Sequence, residues 1–157
     1  MRLAIVLHLT GTILRVFGAA FLAPLLVALY YGETSDAIGF VGAGLLAAVA
    51  GQAMRRRVDQ REWVLRRVEG MAVVAGTWLL VAVIGSVPYA VAGLGTVDAL
   101  FESMSGITAT GATIFTDFGM FGRGLLFWRS LSQWLGGMGV ITLFIAVLPR
   151  LAIGGRQ

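Results

Sequence analysis

Ser130–Pro149 is a run of 20 residues without one charged side chain, closed by Arg150. A helix on a soluble protein keeps a polar face toward water. A run this uniformly apolar instead matches the ~20 residues that cross a bilayer core. Charges mark off three further runs. Ile13–Tyr31 has Arg15 near one end and Pro24 inside it, where a kink is predicted. Ile38–Met54 is opened by Asp36 and closed by Arg55-Arg56-Arg57. The third runs from Gly70 to about Ala90, with Pro88 near its far end. Composition agrees: 58% of residues are hydrophobic and 13% charged, against ~45–50% and ~25% in soluble domains. Both a soluble globular domain and disorder are excluded. The expected fold is an all-α integral membrane protein, and the 22 glycines suit close helix packing.

Arginine placement predicts orientation. All 12 basic residues are Arg. The segment Arg55–Glu69 holds Arg55, Arg56, Arg57, Arg61, Arg66 and Arg67 against Asp59, Glu62 and Glu69, whereas the loop between the first two runs holds only Glu33 and Asp36. Arg2 and Arg15 lie at the N-terminal side, Arg150 and Arg156 at the C-terminal side. Both termini and the long hairpin are therefore expected in the cytoplasm. The opposite side carries Glu33, Asp36, Asp98, Glu102 and Asp117, with Arg123 and Arg129. Arginines between apolar runs serve orientation, so no nucleic acid partner is expected and membrane lipid is. Arg2 followed by Leu3–Leu14 has the outline of a signal peptide. Arg15 falls where cleavage would begin, however, and the apolar run then resumes, which favours an uncleaved first helix with a snorkelling Arg15.

Gly93–Gly124 is no span. Thr96-Val97-Asp98 offers an N-cap and first-turn acid to a helix of about ten residues, roughly 15 Å and half a bilayer. It runs into Gly106-Ile107-Thr108-Ala109-Thr110-Gly111-Ala112-Thr113, small residues whose irregular backbone is tolerated at such depth only when buried in protein or lining water. Half-helix, extended return, helix is the plan of a pore loop. The helix dipole favours a cation at its C-terminus, and the return strand offers carbonyls and hydroxyls in place of hydration. An ordinary outer loop with a short amphipathic helix fits the composition equally well.

Two longer strings separate these readings: Phe101-Glu102-Ser103-Met104-Ser105 continuing into Gly106–Thr113, and Phe127-Trp128-Arg129-Ser130-Leu131-Ser132-Gln133-Trp134-Leu135-Gly136-Gly137-Met138-Gly139. Together they closely resemble the first pore repeat of the Trk/Ktr/HKT superfamily, specifically the bacterial TrkH-type potassium uptake subunits. Arg67–Gly76, Val87-Pro88, Leu148-Pro149 and Gly154-Gly155 fit the same pattern, so the resemblance covers nearly the whole chain. It implies two leading transmembrane helices over residues 1–57. Over 58–157 it implies one repeat of outer helix, pore half-helix with filter loop, and inner helix. The family's subunit carries four such repeats around one pore, so the chain is read as an N-terminal part. A one-repeat homotetrameric channel and a non-conducting membrane scaffold are the alternatives.

By position, the resemblance makes Ala109, Thr110, Gly111, Ala112 and Thr113 the selectivity filter, with Gly111 its glycine and K⁺ held at Ala109, Thr110 and Gly111. Ala109 departs from the family, where many members have Thr, which removes a hydroxyl from the inner end. The resemblance further implies K⁺ uptake across the bacterial inner membrane with no cofactor, a homodimer of the full subunit, and a cytoplasmic nucleotide-binding regulatory subunit.

Glu102 and Arg129 either pair behind the filter and brace it, or go separate ways, Glu102 to local backbone and Arg129 to the outer surface. Gly136-Gly137-Met138-Gly139 reads as close helix packing more readily than as a hinge. Trp128, Trp134, Tyr30 and Tyr31 read as interfacial or packing aromatics. His8 stands alone and there is no Cys, so neither a metal centre nor a disulfide is expected. No nucleophile–base pair, P-loop or dinucleotide glycine motif is present, and the chain is not read as an enzyme.

Overall fold

The computed structural model describes residues 2–55 and 66–153, and among these every regular element is a helix. Helix α1 (Leu3–Gly18) passes through a 3-10 turn at Ala19–Phe21 into α2 (Leu22–Tyr30). The pair forms one apolar stretch of 28 residues. It begins ten residues before the expected start at Ile13, because Leu3–Leu14 holds neither a charge nor a proline to stop a helix. The 3-10 turn is the imprint of Pro24. A proline ring crowds the carbonyl four residues back, here Ala20, and brings no N–H to it, so the backbone tightens at that point.

Gly32, at φ +73°, turns the chain into α3 (Thr34–Met54). This helix runs antiparallel to α1, with Gly11 against Gly51 and Gly18 against Gly44 and Ala47. A methyl group on Gly11 or Gly51 would collide with the opposite backbone. Helices α4 (Arg67–Gly85) and α5 (Val87–Val91) are separated by Ser86, with Pro88 in the first turn of α5. Next come α6 (Thr96–Ile107) and α7 (Arg123–Ile153). Among the described residues, Leu3–Tyr30, Thr34–Met54 and Val68–Val91 are long and apolar enough to cross a membrane. The 31 residues of α7 would reach about 46 Å at ~1.5 Å each.

Arg56, Arg57, Asp59, Arg61 and Glu62 of the basic hairpin, the expected boundary between residues 57 and 58, and Gly154, Gly155 and Arg156 lie outside the described residues. The leading helices are nonetheless bolted to the rest. The Arg2 guanidinium and backbone N–H reach the buried Glu69 carboxylate at 2.8–3.0 Å, where the Arg66 N–H also donates.

The core lies where α1, α3, α4 and α7 meet. Trp128 of α7 is 1% exposed, packs its ring 4.4 Å from that of Phe21, and donates its indole N–H to the Gly85 carbonyl at 3.2 Å. Of the four aromatics read as packing or interfacial, Trp128 is therefore core, while Trp134, Tyr30 and Tyr31 are exposed. Ser103 ties α6 to α4 by donating to the Ala82 carbonyl at 2.7 Å. Gly106 lies against Ser132 of α7, so α6 packs on both α4 and α7.

Candidate functional site

Helix α6 has 12 residues, about 18 Å, which is too short to cross a ~30 Å bilayer core. It starts and ends slightly off expectation. Gly95 takes the N-cap position with no side-chain cap bond, Asp98 sits in the first turn, and Gly106 and Ile107 are helical. Gly106 stays in the helix because its bare Cα gives room to Ser132 on α7.

The end of α6 is a Schellman turn. The Thr110 N–H donates to the Ser105 carbonyl at 3.0 Å and the Ala109 N–H to the Gly106 carbonyl at 2.9 Å. The same bond pattern closes α2 at Gly32 and α5 at Gly93, both glycines of positive φ. At the third turn the left-handed residue is Ala109, at φ +55°. An L-residue there costs roughly 1–2 kcal/mol, so this turn holds strain that the other two lack.

Beyond the turn the chain runs back along α6, bonded to it rung by rung. The Ser105 hydroxyl donates to the Ala112 carbonyl at 2.6 Å. One turn earlier, Glu102 Oε1 accepts from the Thr113 hydroxyl and the Ile114 N–H, both at 2.7 Å. Its other oxygen faces α7, where Arg129 Nε lies at 3.2 Å, and Arg129 Nη2 continues to the Gly111 carbonyl at 3.1 Å. Glu102 is 1% exposed. One buried carboxylate thus gathers the return strand and the inner helix. Phe115 closes the outer end, stacked 4.0 Å from Phe121.

All five residues expected to form a filter, Ala109–Thr113, are therefore together on one strand, and Glu102 and Arg129 are together behind it. Gly111 has φ +75° with open space on its Cα side. The carbonyls divide into two sets. Those of Gly111 and Ala112 have side-chain donors, whereas those of Ala109, Thr110 and Thr113 accept no hydrogen bond among the described residues. Gly136 on α7 lies directly against the Ile107 carbonyl, which favours packing over a hinge at that glycine.

Charge counting assigned Glu33 only to the outer side, but the structure gives it a specific task. Its carboxylate accepts the Arg123 and Gly124 N–H groups at 2.7 and 2.8 Å, capping α7 from 90 residues away. Arg123 lies over the Tyr31 ring at 4.4 Å. Local sequence carries no signal for a cap this distant, beyond the absence of a capping side chain at Gly122.

The chain matches the family model described as TrkH, cation transport protein, over residues 39–157. It is 34% identical over 164 residues to the Trk system potassium uptake protein TrkH of Halomonas elongata, covering 99% of this chain and 33% of that protein. To the Trk system potassium uptake protein TrkG of Escherichia coli it is 36% identical over 156 residues, covering 98% and 32%. The crystal structure of the potassium transporter TrkH from Vibrio parahaemolyticus superposes with a TM-score of 0.86 at 33% identity, covering 100% of this chain and 34% of that one. The chain thus spans about a third of the length of these relatives.

Proposed function

The chain belongs to the TrkH family of cation transport proteins, and on that premise we propose that it supplies the first of four pore repeats to a potassium uptake protein of the bacterial inner membrane. Residues 1–57 are the two leading helices and 58–157 the repeat. One observation carries the reading: a 12-residue helix turns at its C-terminus into an irregular return segment whose Ala109, Thr110 and Thr113 carbonyls accept no hydrogen bond among the described residues. The negative end of the α6 dipole meets the ion there. The Ala109 and Thr110 oxygens replace part of its hydration shell, and Gly111 adds the lone pair that Arg129 leaves open. The remaining repeats close the ring. The homodimer of the full subunit and the cytoplasmic nucleotide-binding regulatory subunit follow from the family resemblance.

Gly111→Ser, placed in a full-length protein, tests this. At φ +75° a Cβ brings strain even though nothing crowds it. The carbonyl beside it should tilt, and the cage fitted to K⁺ should loosen. The expected result is a lower ratio of K⁺ to Na⁺ flux at unchanged membrane expression. Unaltered selectivity in a well-expressed variant would remove Ala109–Thr113 from the filter, and a full-length protein that carries no K⁺ at all would favour the scaffold reading. Orientation has its own test. A cysteine at Thr34 should react with an impermeant thiol reagent added outside the cell and one at Gln60 should not; the reverse pattern would invert the topology.

A further inference from the structure

Arg15 and a groove beside it are used by nothing in the ion pathway. Arg15 lies along Gly51, one turn from Met54, the last residue of α3, and so within a side chain's reach of that membrane face. Among the described residues it makes no ion pair or hydrogen bond. Helices α1 and α2 contain no acidic residue, and Asp36, the acid of α3, sits at the opposite end. A guanidinium in apolar surroundings without a counter-charge is costly, and no described residue of α1, α2 or α3 places a carboxylate beside it.

The groove supplies the other half of a ligand. It runs from Arg15 past Gly18 and Gly44, whose missing side chains hollow it out, to Leu22, Leu25 and Val41. Its volume is about 290 Å³, just below the ~300–1,000 Å³ of ligand pockets, which suits part of one extended chain. Its walls are apolar apart from Arg15, and none of the residues Ala109–Thr113 lines it. From Arg15 to Leu25 is ten residues, about 15 Å along a helix, or half of a ~30 Å hydrocarbon core. A headgroup at one end and a tail one leaflet long match that geometry.

We propose that this groove between α1–α2 and α3 is a binding site for an anionic phospholipid, with its phosphate on Arg15 and one acyl chain along Gly18, Leu22, Leu25, Val41 and Gly44. The site is separate from the pore reading and stands or falls without it. Charge selects the headgroup, because a zwitterionic lipid brings its own ammonium to compete for the phosphate.

The delipidated, detergent-solubilised chain can be titrated with phosphatidylglycerol and with phosphatidylcholine, and bound lipid counted by native mass spectrometry. One phosphatidylglycerol should be retained about tenfold more tightly than phosphatidylcholine, as expected of a charge-assisted contact. Arg15→Gln should erase the preference and Arg15→Lys should keep most of it. Val41→Phe, at an exposed position on the groove wall, should fill the groove and weaken retention with Arg15 intact. Equal retention of the two lipids by the unaltered chain would overturn the proposal. So would a preference that survives Arg15→Gln, retention unaffected by Val41→Phe, or displacement of the lipid by inorganic phosphate. An Arg15→Gln chain that keeps its lipid but fails to assemble in the full-length protein would assign Arg15 to a protein acid instead.

Discussion

Gly136→Ala is expected to damage the C-terminal end of α6, where the proposed filter begins, as much as α7 itself. A Cβ at position 136 would meet the oxygen and carbon of the Ile107 carbonyl at distances no atoms adopt. Both partners are backbone, so no side-chain rotation relieves the clash. One helix has to move, and Ile107 is the last residue of α6, two before the strained turn at Ala109. Overpacking of this kind costs typically 1–3 kcal/mol, and here the displacement feeds directly into the strand that carries the candidate ion ligands. The neighbouring glycines supply the control. A methyl on Gly137 would find Ala109 Cβ at 3.9 Å, and one on Gly139 would find Trp78 Nε1 at 3.7 Å, both ordinary contacts. Gly136→Ala should therefore lower thermal stability in detergent and K⁺ flux in the full-length protein, while Gly137→Ala and Gly139→Ala change both little. A hinge would predict no such grading, since it needs flexibility at all three positions. Equal damage from the three substitutions would restore the hinge.

The legible part of this fold was the part written in long-range averages. Twenty uncharged residues, or an arginine block between two apolar runs, report on the solvent around a helix, and the bilayer imposes that solvent uniformly. Helix ends are set by single contacts, which is where expectation and structure part. The first helix starts at Leu3 because nothing in Leu3–Leu14 resists it, and α6 runs on through Gly106 because Ser132 on α7 leaves no room for a side chain there. The irregular return segment after α6 was legible through its glycines and threonines. What holds it was only half legible. Glu102 and Arg129 stood out as charges in an apolar setting, whereas Ser105 under Ala112, and Glu33 on the first turn of α7, are unremarkable residues given their tasks by tertiary placement.

The largest loss is expected from Glu102→Gln. The native carboxylate accepts three hydrogen bonds, from the Thr113 hydroxyl, the Ile114 N–H and Arg129 Nε, on a side chain that is fully buried. The amide keeps the size and one acceptor oxygen, but it turns an N–H₂ toward one of these donors and leaves Arg129 without its counter-charge. Removing one member of a buried pair typically costs ~3–5 kcal/mol. Arg129→Gln should cost less, because Glu102 keeps two donors from the return strand, yet it frees the Gly111 carbonyl from its guanidinium. The two variants should therefore separate. Glu102→Gln should chiefly lower the yield of folded protein, and Arg129→Gln should chiefly shift ion selectivity. Combined, they leave no uncompensated charge, so the double variant should be no less stable than Glu102→Gln alone. A thermal-unfolding cycle in detergent reads the coupling. If the two single losses simply add, the 3.2 Å contact contributes nothing, and the strand is held by Glu102 and Ser105 on α6 without help from the inner helix.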